Sequence, residues 1–347
     1  LPYTLTDPAA LAQAGFDAII DVRSPAEYAE DHIPGAINLP ALSNDERARV
    51  GTIYKQVSPF DARKIGAALV ARNAAAHIEQ QLMDHDGGWR PLVYCWRGGQ
   101  RSGSFASILQ QIGWRAETLA GGYQSYRRRV VGALYDTPLA QRVIRLDGYT
   151  GTAKTDLLAA IARLGGQVID LEGLAQHRGS ILGDRPGAQP SQKAFESALL
   201  ARIGALDPAR PVLIEAESAR IGALRLPPMV WAAMRDSPRI VIEAPPEARA
   251  AYLATAYADL AADTPALSTR LGRLSALVGH DTVARWLSLL DQGRTRDLAL
   301  ALVTDHYDPA YARLRGTDNG TILNRLHLPD LTGDTLAKTA RTLITLI

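Results

Sequence analysis

The segment that most restricts how this chain folds lies near its middle. Val143-Ile144-Arg145-Leu146 leads into the glycine-broken turn Asp147-Gly148-Tyr149-Thr150-Gly151-Thr152-Ala153, which passes through Lys154-Thr155 into the helix-forming stretch Asp156-Leu157-Leu158-Ala159-Ala160-Ile161. An apolar strand that turns straight into a helix opens a parallel β-α unit, because parallel neighbours need a crossover where antiparallel ones need only a hairpin. The pattern continues in Gln167-Val168-Ile169-Asp170, Val212-Leu213-Ile214-Glu215 and Arg239-Ile240-Val241-Ile242, all read as strands. From about Pro246 to the end helical periodicity is expected to dominate, with Leu267, Leu271, Leu274 and Val278 on one buried face.

The first part of the chain carries a second, separate α/β pattern. Residues 17 to 22 read as a buried strand, and Ser24-Pro25-Ala26-Glu27-Tyr28 as a helix start with proline in the first turn. Further signals are Ala36-Ile37-Asn38-Leu39-Pro40, a helix from about Ala62 to Met83, a strand over Pro91-Leu92-Val93-Tyr94, a helix over Ser102 to Ile112, and another through Tyr126-Arg127-Arg128-Arg129-Val130-Val131. With 347 residues, more than one typical domain, two are expected: 1–132 and 133–347, with a linker near Thr137-Pro138. No repeat or low-complexity tract interrupts them.

Cys95 is the only cysteine. This excludes an intramolecular disulfide framework, a CxxC redox pair and a cysteine-rich zinc site, and it fits a reducing compartment. The thiol follows a buried strand and opens Cys95-Trp96-Arg97-Gly98-Gly99-Gln100-Arg101-Ser102. Loop N–H groups, Arg97, Arg101 and the next helix N-terminus all favour a thiolate there, so Cys95 is the expected nucleophile. With no second cysteine to resolve it, any chalcogen it carries must pass to another molecule. His32 and Arg23 are expected to hold the neighbouring turn rather than touch substrate. The balance of 38 basic and 36 acidic residues, with only five lysines, leaves room for a basic patch but not for a polycationic tail. No apolar stretch approaches a membrane span and no secretory leader pattern opens the sequence, so a soluble, cytoplasmic protein is expected.

The central turn nearly fits the P-loop, whose backbone N–H groups cradle phosphate while its Lys reaches a terminal phosphate and its Thr ligates Mg²⁺. Gly148, Thr150, Gly151, Thr152, Ala153, Lys154 and Thr155 form the expected phosphate-binding set; Ala153 stands where the pattern has glycine, which suggests a tighter loop. Glu217, at the end of a strand, is the first choice to hold Mg²⁺ with Thr155; Glu215 is the second, and Asp170 or Glu172 is open as a base or metal partner. His177-Arg178-Gly179-Ser180-Ile181-Leu182-Gly183-Asp184-Arg185 reads as a glycine-broken loop able to fold over an anion with Arg178 and Arg185, and Ser191 caps the helix that follows.

Asp21-Val22-Arg23-Ser24-Pro25-Ala26-Glu27-Tyr28, His32-Ile33-Pro34-Gly35-Ala36 and the Cys95 to Ser102 loop resemble the rhodanese family of small α/β sulfurtransferases. Joined to the P-loop segment, and to Asp170-Leu171-Glu172-Gly173, His177-Arg178-Gly179-Ser180, Gln189-Pro190-Ser191-Gln192 and Glu215-Ala216-Glu217-Ser218, they resemble the tRNA 2-selenouridine synthase family across both halves. The resemblance implies an N-terminal rhodanese-like domain and a C-terminal P-loop NTPase-like α/β domain with a helical extension. It also implies a transferase acting on tRNA that bears 2-thiouridine at the wobble position. The sulfur would be S-geranylated from geranyl diphosphate, then replaced by selenium from selenophosphate to give 2-selenouridine.

On that reading Mg²⁺ serves the phosphate loop, and a prenyl slot is sought among Leu157, Ile181, Leu182, Phe195 and Trp231. Arginines 127, 128 and 129, with Arg270, Arg273, Arg285, Arg294 and Arg296, are candidate tRNA contacts. Two alternatives remain open from sequence: a nucleotide-dependent kinase or ATPase with a fused sulfurtransferase domain, and a non-enzymatic sulfur-carrier or tRNA-binding adaptor.

Overall fold

The computed structural model describes residues 2–315 and 320–347. The chain forms two compact units, 1–137 with 190–205, and 138–189 with 206–347.

In the first unit the order is β1 (Ala18–Asp21), α1 (Pro25–Glu30), β2 (Ile37–Asn38), α2 (Asn44–Gln56) and α3 (Pro59–His77). There follow β3 (Pro91–Tyr94), α4 (Gln100–Ile112), β4 (Glu117–Thr118) and α5 (Gly122–Val131). The sheet is parallel, in the order β2-β1-β3-β4. Ile20 and Val93, buried on the two central strands, meet Val70 and Ala74 of α3 and Phe105 and Leu109 of α4 in one core. Helix α2 starts at a capping box in which the Ser43 hydroxyl accepts from the Glu46 N–H and the Glu46 carboxylate from the Ser43 N–H.

The second unit runs through β5 (Val143–Gly148), α6 (Lys154–Arg163), β6 (Val168–Ile169) and α7 (Leu171–Leu174). After an excursion, α8 (Gln192–Gly204), come β7 (Val212–Glu215), the hairpin β8 (Arg220–Ile221) and β9 (Leu224–Arg225), α9 (Pro228–Arg235), β10 (Arg239–Glu243) and α10 (Pro246–Ala256). Five more helices follow: α11 (Ala258–Ala262), α12 (Thr264–Gly272), α13 (Ser275–Val278), α14 (His280–Asp291) and α15 (Thr295–Leu302). Last come α16 (Asp308–Arg315), β11 (Ile322–His327) and α17 (Gly333–Leu346). The main sheet is parallel, in the order β11-β10-β5-β7-β6. Leu267, Leu271 and Leu274 are buried with Trp286 and Leu290 in a separate helical core, as their spacing predicts.

Two features were not read from the sequence. The C-terminal region is not helical throughout: β11 pairs with β10, and its residues alternate between half-buried and exposed, the period of two shown by an edge strand with one covered face. Helix α8 clusters with the residues of the first unit. Its Phe195 and Leu199 are fully buried, and its buried Glu196 and Ser197 find partners there: Arg127 and Tyr135 donate to Glu196, and Ser197 donates to Asp31.

Candidate functional site

In each parallel sheet a glycine-bearing loop leaves the carboxyl end of a central strand, beside the point where the strand order reverses, which is where open α/β sheets bind ligands. In the first unit that strand is β3, and Cys95 is the next residue. Its Sγ accepts from the Gly99 N–H at 3.3 Å and from the Ser102 hydroxyl at 3.2 Å. Burial pushes the thiol pKa up, but hydrogen bonds from Ser102 and Gly99 and the charge of Arg101 outweigh it, leaving Cys95 below the ordinary thiol value. The loop is closed by backbone packed on backbone. A Cβ at Gly98 would meet the Leu119 carbonyl at 2.5 Å, and one at Gly122 the Cys95 carbonyl at 2.3 Å, both at positive φ. Tyr123 N–H donates to the Cys95 carbonyl at 2.8 Å and its ring stacks on Trp96.

Arg97 is exposed, without an ion pair among the described residues, and is available to an incoming anion. Arg101 is tied to Glu27 of α1 at 2.9 Å, so its influence on the thiol is exerted from a fixed post. Arg23 and His32 are structural, as expected. Arg23 is buried, bonds Asp21 and the Asp31 carbonyl at 2.6 Å each, and lies 3.9 Å from the Tyr123 ring centre. His32 bonds the Tyr28 carbonyl and stacks on the Tyr28 ring.

In the second unit the loop follows β5 and borders a cavity of about 1190 Å³. Thr150, Gly151, Thr152, Ala153, Lys154 and Thr155 line it; Gly148 lies buried below, where a Cβ would strike the Ile242 carbonyl at 2.7 Å. Ala153 takes the left-handed conformation that the pattern assigns to glycine (φ +57°), and its methyl is buried in the core with Leu157. Lys154 Nζ donates to the Gly148 carbonyl at 3.0 Å. Burial opposes its charge, but Tyr311, Glu217, Glu172 and Asp147 outweigh this and hold the ammonium above its usual pKa.

Thr155 donates to Glu172 at 2.9 Å, and Glu172 faces Glu217 across Gly179, whose Cβ would meet both carboxylates. Burial and the charge of Glu172 push Glu217 up to about 8, against the pull of Lys154. Two carboxylates forced together beside a hydroxyl make an all-oxygen donor set suited to Mg²⁺, which is held by one or two carboxylates, water and substrate phosphate. The residues therefore fit the ion. Among the described residues no group of three or more His, Cys, Asp or Glu side chains is arranged as a metal site, so water and phosphate would complete the shell.

Family comparisons accord with this geometry. A model of the tRNA 2-selenouridine synthase AAA domain matches residues 141–332, and a rhodanese-like domain model matches 6–129. A tRNA 2-selenouridine synthase of Hahella chejuensis is 34% identical over 332 residues, covering 85% of this chain and 84% of the relative. One from Alcanivorax borkumensis is 32% identical over 337 residues, covering 88% and 91%. The chain belongs to the tRNA 2-selenouridine synthase family.

Within this synthase fold several expected residues take other places. Glu215 is buried, accepts the Glu172 N–H at 2.7 Å and does not line the cavity, so Glu172 takes the place offered to it beside Glu217. Asp170 caps α7. Arg178 and Arg185 both border the cavity, but Arg178 is forked onto Asp259 and packs over Tyr257, whereas Arg185 Nε is buried without a hydrogen bond. Phe195 and Leu157 are fully buried and border neither the cavity nor the adjoining apolar crevice; Ile181 and Trp231 border the cavity, and Leu182 the crevice.

Of the tRNA candidates, Arg127 is taken up by Glu196, Arg285 by Asp305 and Arg294 by Asp297, while Arg270 lies 3.3 Å from Asp184. Arg128, Arg129, Arg273 and Arg296 are exposed. Sequence reading missed Tyr252, Tyr257, Tyr307 and Tyr311, which line the cavity from α10 to α16. Their spacing shows only an ordinary helical face.

Proposed function

We propose that the chain converts 2-thiouridine to 2-selenouridine at the tRNA wobble position in two steps, one per unit. The observation that carries this reading is the cavity of about 1190 Å³ at the phosphate loop, which has apolar as well as polar walls and adjoins a small apolar crevice. Thr150, Leu253, Tyr257 and Tyr307 border both, and Leu182, Leu260, Leu267, Leu298 and Leu302 line the crevice. The crevice, about 60 Å³, is far smaller than a ten-carbon chain, so the diphosphate of geranyl diphosphate is assigned to the loop and its hydrocarbon tail to the cavity's own apolar wall at Ile181, Trp231 and Leu253.

In the first step the thiouridine sulfur attacks the allylic carbon of the geranyl group, the C–O bond breaks, and diphosphate leaves. Loop N–H groups, Lys154 and Arg185 stabilise the charge that develops on the diphosphate. Thr155, Glu172 and Glu217 would hold Mg²⁺, which adds positive charge on the leaving oxygens when bound. In the second step the selenium of selenophosphate attacks C2 and geranylthiol leaves with a proton; water then cleaves the Se–P bond, releasing phosphate and leaving 2-selenouridine. This step is assigned to the unit of Cys95, with Arg97 as the anion contact and Arg101 as a support for the thiolate. Arg128, Arg129, Arg273 and Arg296 are the arginines offered to tRNA phosphates.

The test is mass spectrometry of tRNA nucleosides after incubating the protein and thiolated tRNA with geranyl diphosphate and then selenophosphate. S-geranyl-2-thiouridine followed by 2-selenouridine is expected. Hydrolysis of Mg–ATP without turnover of geranyl diphosphate would turn the reading to a nucleotide-dependent enzyme. Prenylation unaffected by Lys154→Ala would remove the phosphate-loop assignment.

A further inference from the structure

The left-handed Ala153 is an unfavourable conformation for a residue with a Cβ, so the loop must be held by its surroundings. One support comes from far along the chain. Arg249 of α10 is 2% exposed and donates through Nη1 to the Thr150 carbonyl at 3.2 Å. The same guanidinium is forked onto Asp308 at the start of α16, Nη1 to Oδ1 at 2.8 Å and Nη2 to Oδ2 at 2.6 Å. Its stem and Leu253 fill the space beside Gly151, whose Cβ would meet them at 3.3 and 2.9 Å. The Tyr149 ring centre lies 5.3 Å from the guanidinium. Arg249 itself does not border the cavity.

We propose that Arg249, locked in place by Asp308, is a positioning residue for the phosphate loop. It draws the Thr150 carbonyl toward α10 and away from the cavity, leaving N–H groups rather than a carbonyl dipole to face the bound diphosphate. Asp308 acts through Arg249: a planar, two-pronged ion pair fixes the guanidinium so that the remaining direction of Nη1 meets Thr150. Helix α16 thus contributes to anion binding without touching the anion. The inference rests on the loop being a phosphate site.

The test titrates the full-length protein with inorganic pyrophosphate and Mg²⁺ by calorimetry, with the thermal unfolding midpoint recorded for each variant. Arg249→Met keeps the stem over Gly151 and removes the donors; affinity is expected to fall about 10- to 100-fold while the protein stays folded. Asp308→Asn, a change at a partly exposed side chain, should weaken binding less and serves if Arg249→Met does not fold. The double variant should bind as Arg249→Met does, because Asp308 has no other route to the loop.

Wild-type affinity in folded Arg249→Met overturns the proposal, as does a loss from Asp308→Asn that persists undiminished on the Arg249→Met background. If wild type binds pyrophosphate and Lys154→Ala does not, while Arg249→Met does, the brace alone fails. If wild type binds none, the phosphate-site reading falls and the brace with it.

Discussion

Cys95 has burial working against its charge and three local influences working for it, and their balance is measurable because no other thiol absorbs. A depressed pKa means that the thiolate persists as pH falls below the ordinary thiol range. Titrating thiolate absorbance, with Cys95→Ser as the blank, should give a midpoint below that of a free cysteine. Ser102→Ala, which removes the 3.2 Å donor, should raise the midpoint and lower the thiolate fraction at pH 7. A midpoint unmoved by Ser102→Ala would assign the shift to Gly99 and Arg101. At Ala153 the outcome should be the opposite of what a missing glycine suggests. The left-handed geometry is already formed, at a cost of about 1–2 kcal/mol for an L-residue. Ala153→Gly is therefore expected to leave pyrophosphate affinity within about twofold, with no loss of thermal stability beyond that of one buried methyl.

Helix α8 is held in place by buried polar contacts. Glu196 is fully buried and accepts from Arg127, from the Tyr135 hydroxyl at 2.7 Å and from Gln192 at 2.8 Å. Glu196→Ala leaves those donors facing a cavity and should cost about 3 kcal/mol, read as a lower denaturant midpoint, whereas Glu196→Gln keeps one acceptor and should cost less. Nothing in the sequence told this helix apart from its neighbours: Ser191 announces its start, but the partners Asp31 and Arg127 lie far away in the chain. Strands β1, β3, β5, β7 and β10 were legible because each carries a short, mostly apolar run ending at a turn. Helix α2 was not, since none of its residues is buried and it has no apolar stripe to read. Strand β11 was missed because its alternation of half-buried and exposed residues is short and sits between two helices. At the sites, the loops carry their own glycines and could be read locally, but Glu172 beside Glu217 and Arg249 on Thr150 are pairings made by the fold.

The whole molecule keeps a thiol and a phosphate cradle on separate sheets, and the two should fail separately. Cys95→Ser is expected to abolish 2-selenouridine formation while leaving S-geranylation within a few-fold of wild type; Lys154→Ala should abolish both, because on the proposed route the second step consumes the product of the first. Nucleoside mass spectrometry of the two variants distinguishes them, and equal loss of both products in folded Cys95→Ser would end the division of labour. The chain enters the first unit, leaves at 137, returns for 190–205 and leaves again. A growing chain emerges from the ribosome N-terminus first, so the first unit lacks its last helix until the phosphate loop at 148–155 has already been made. Until residue 205 is out, Asp31 and Arg127 await partners not yet synthesised. The older idea of one domain finishing before the next begins does not describe this protein, whose two halves must mature in interleaved order.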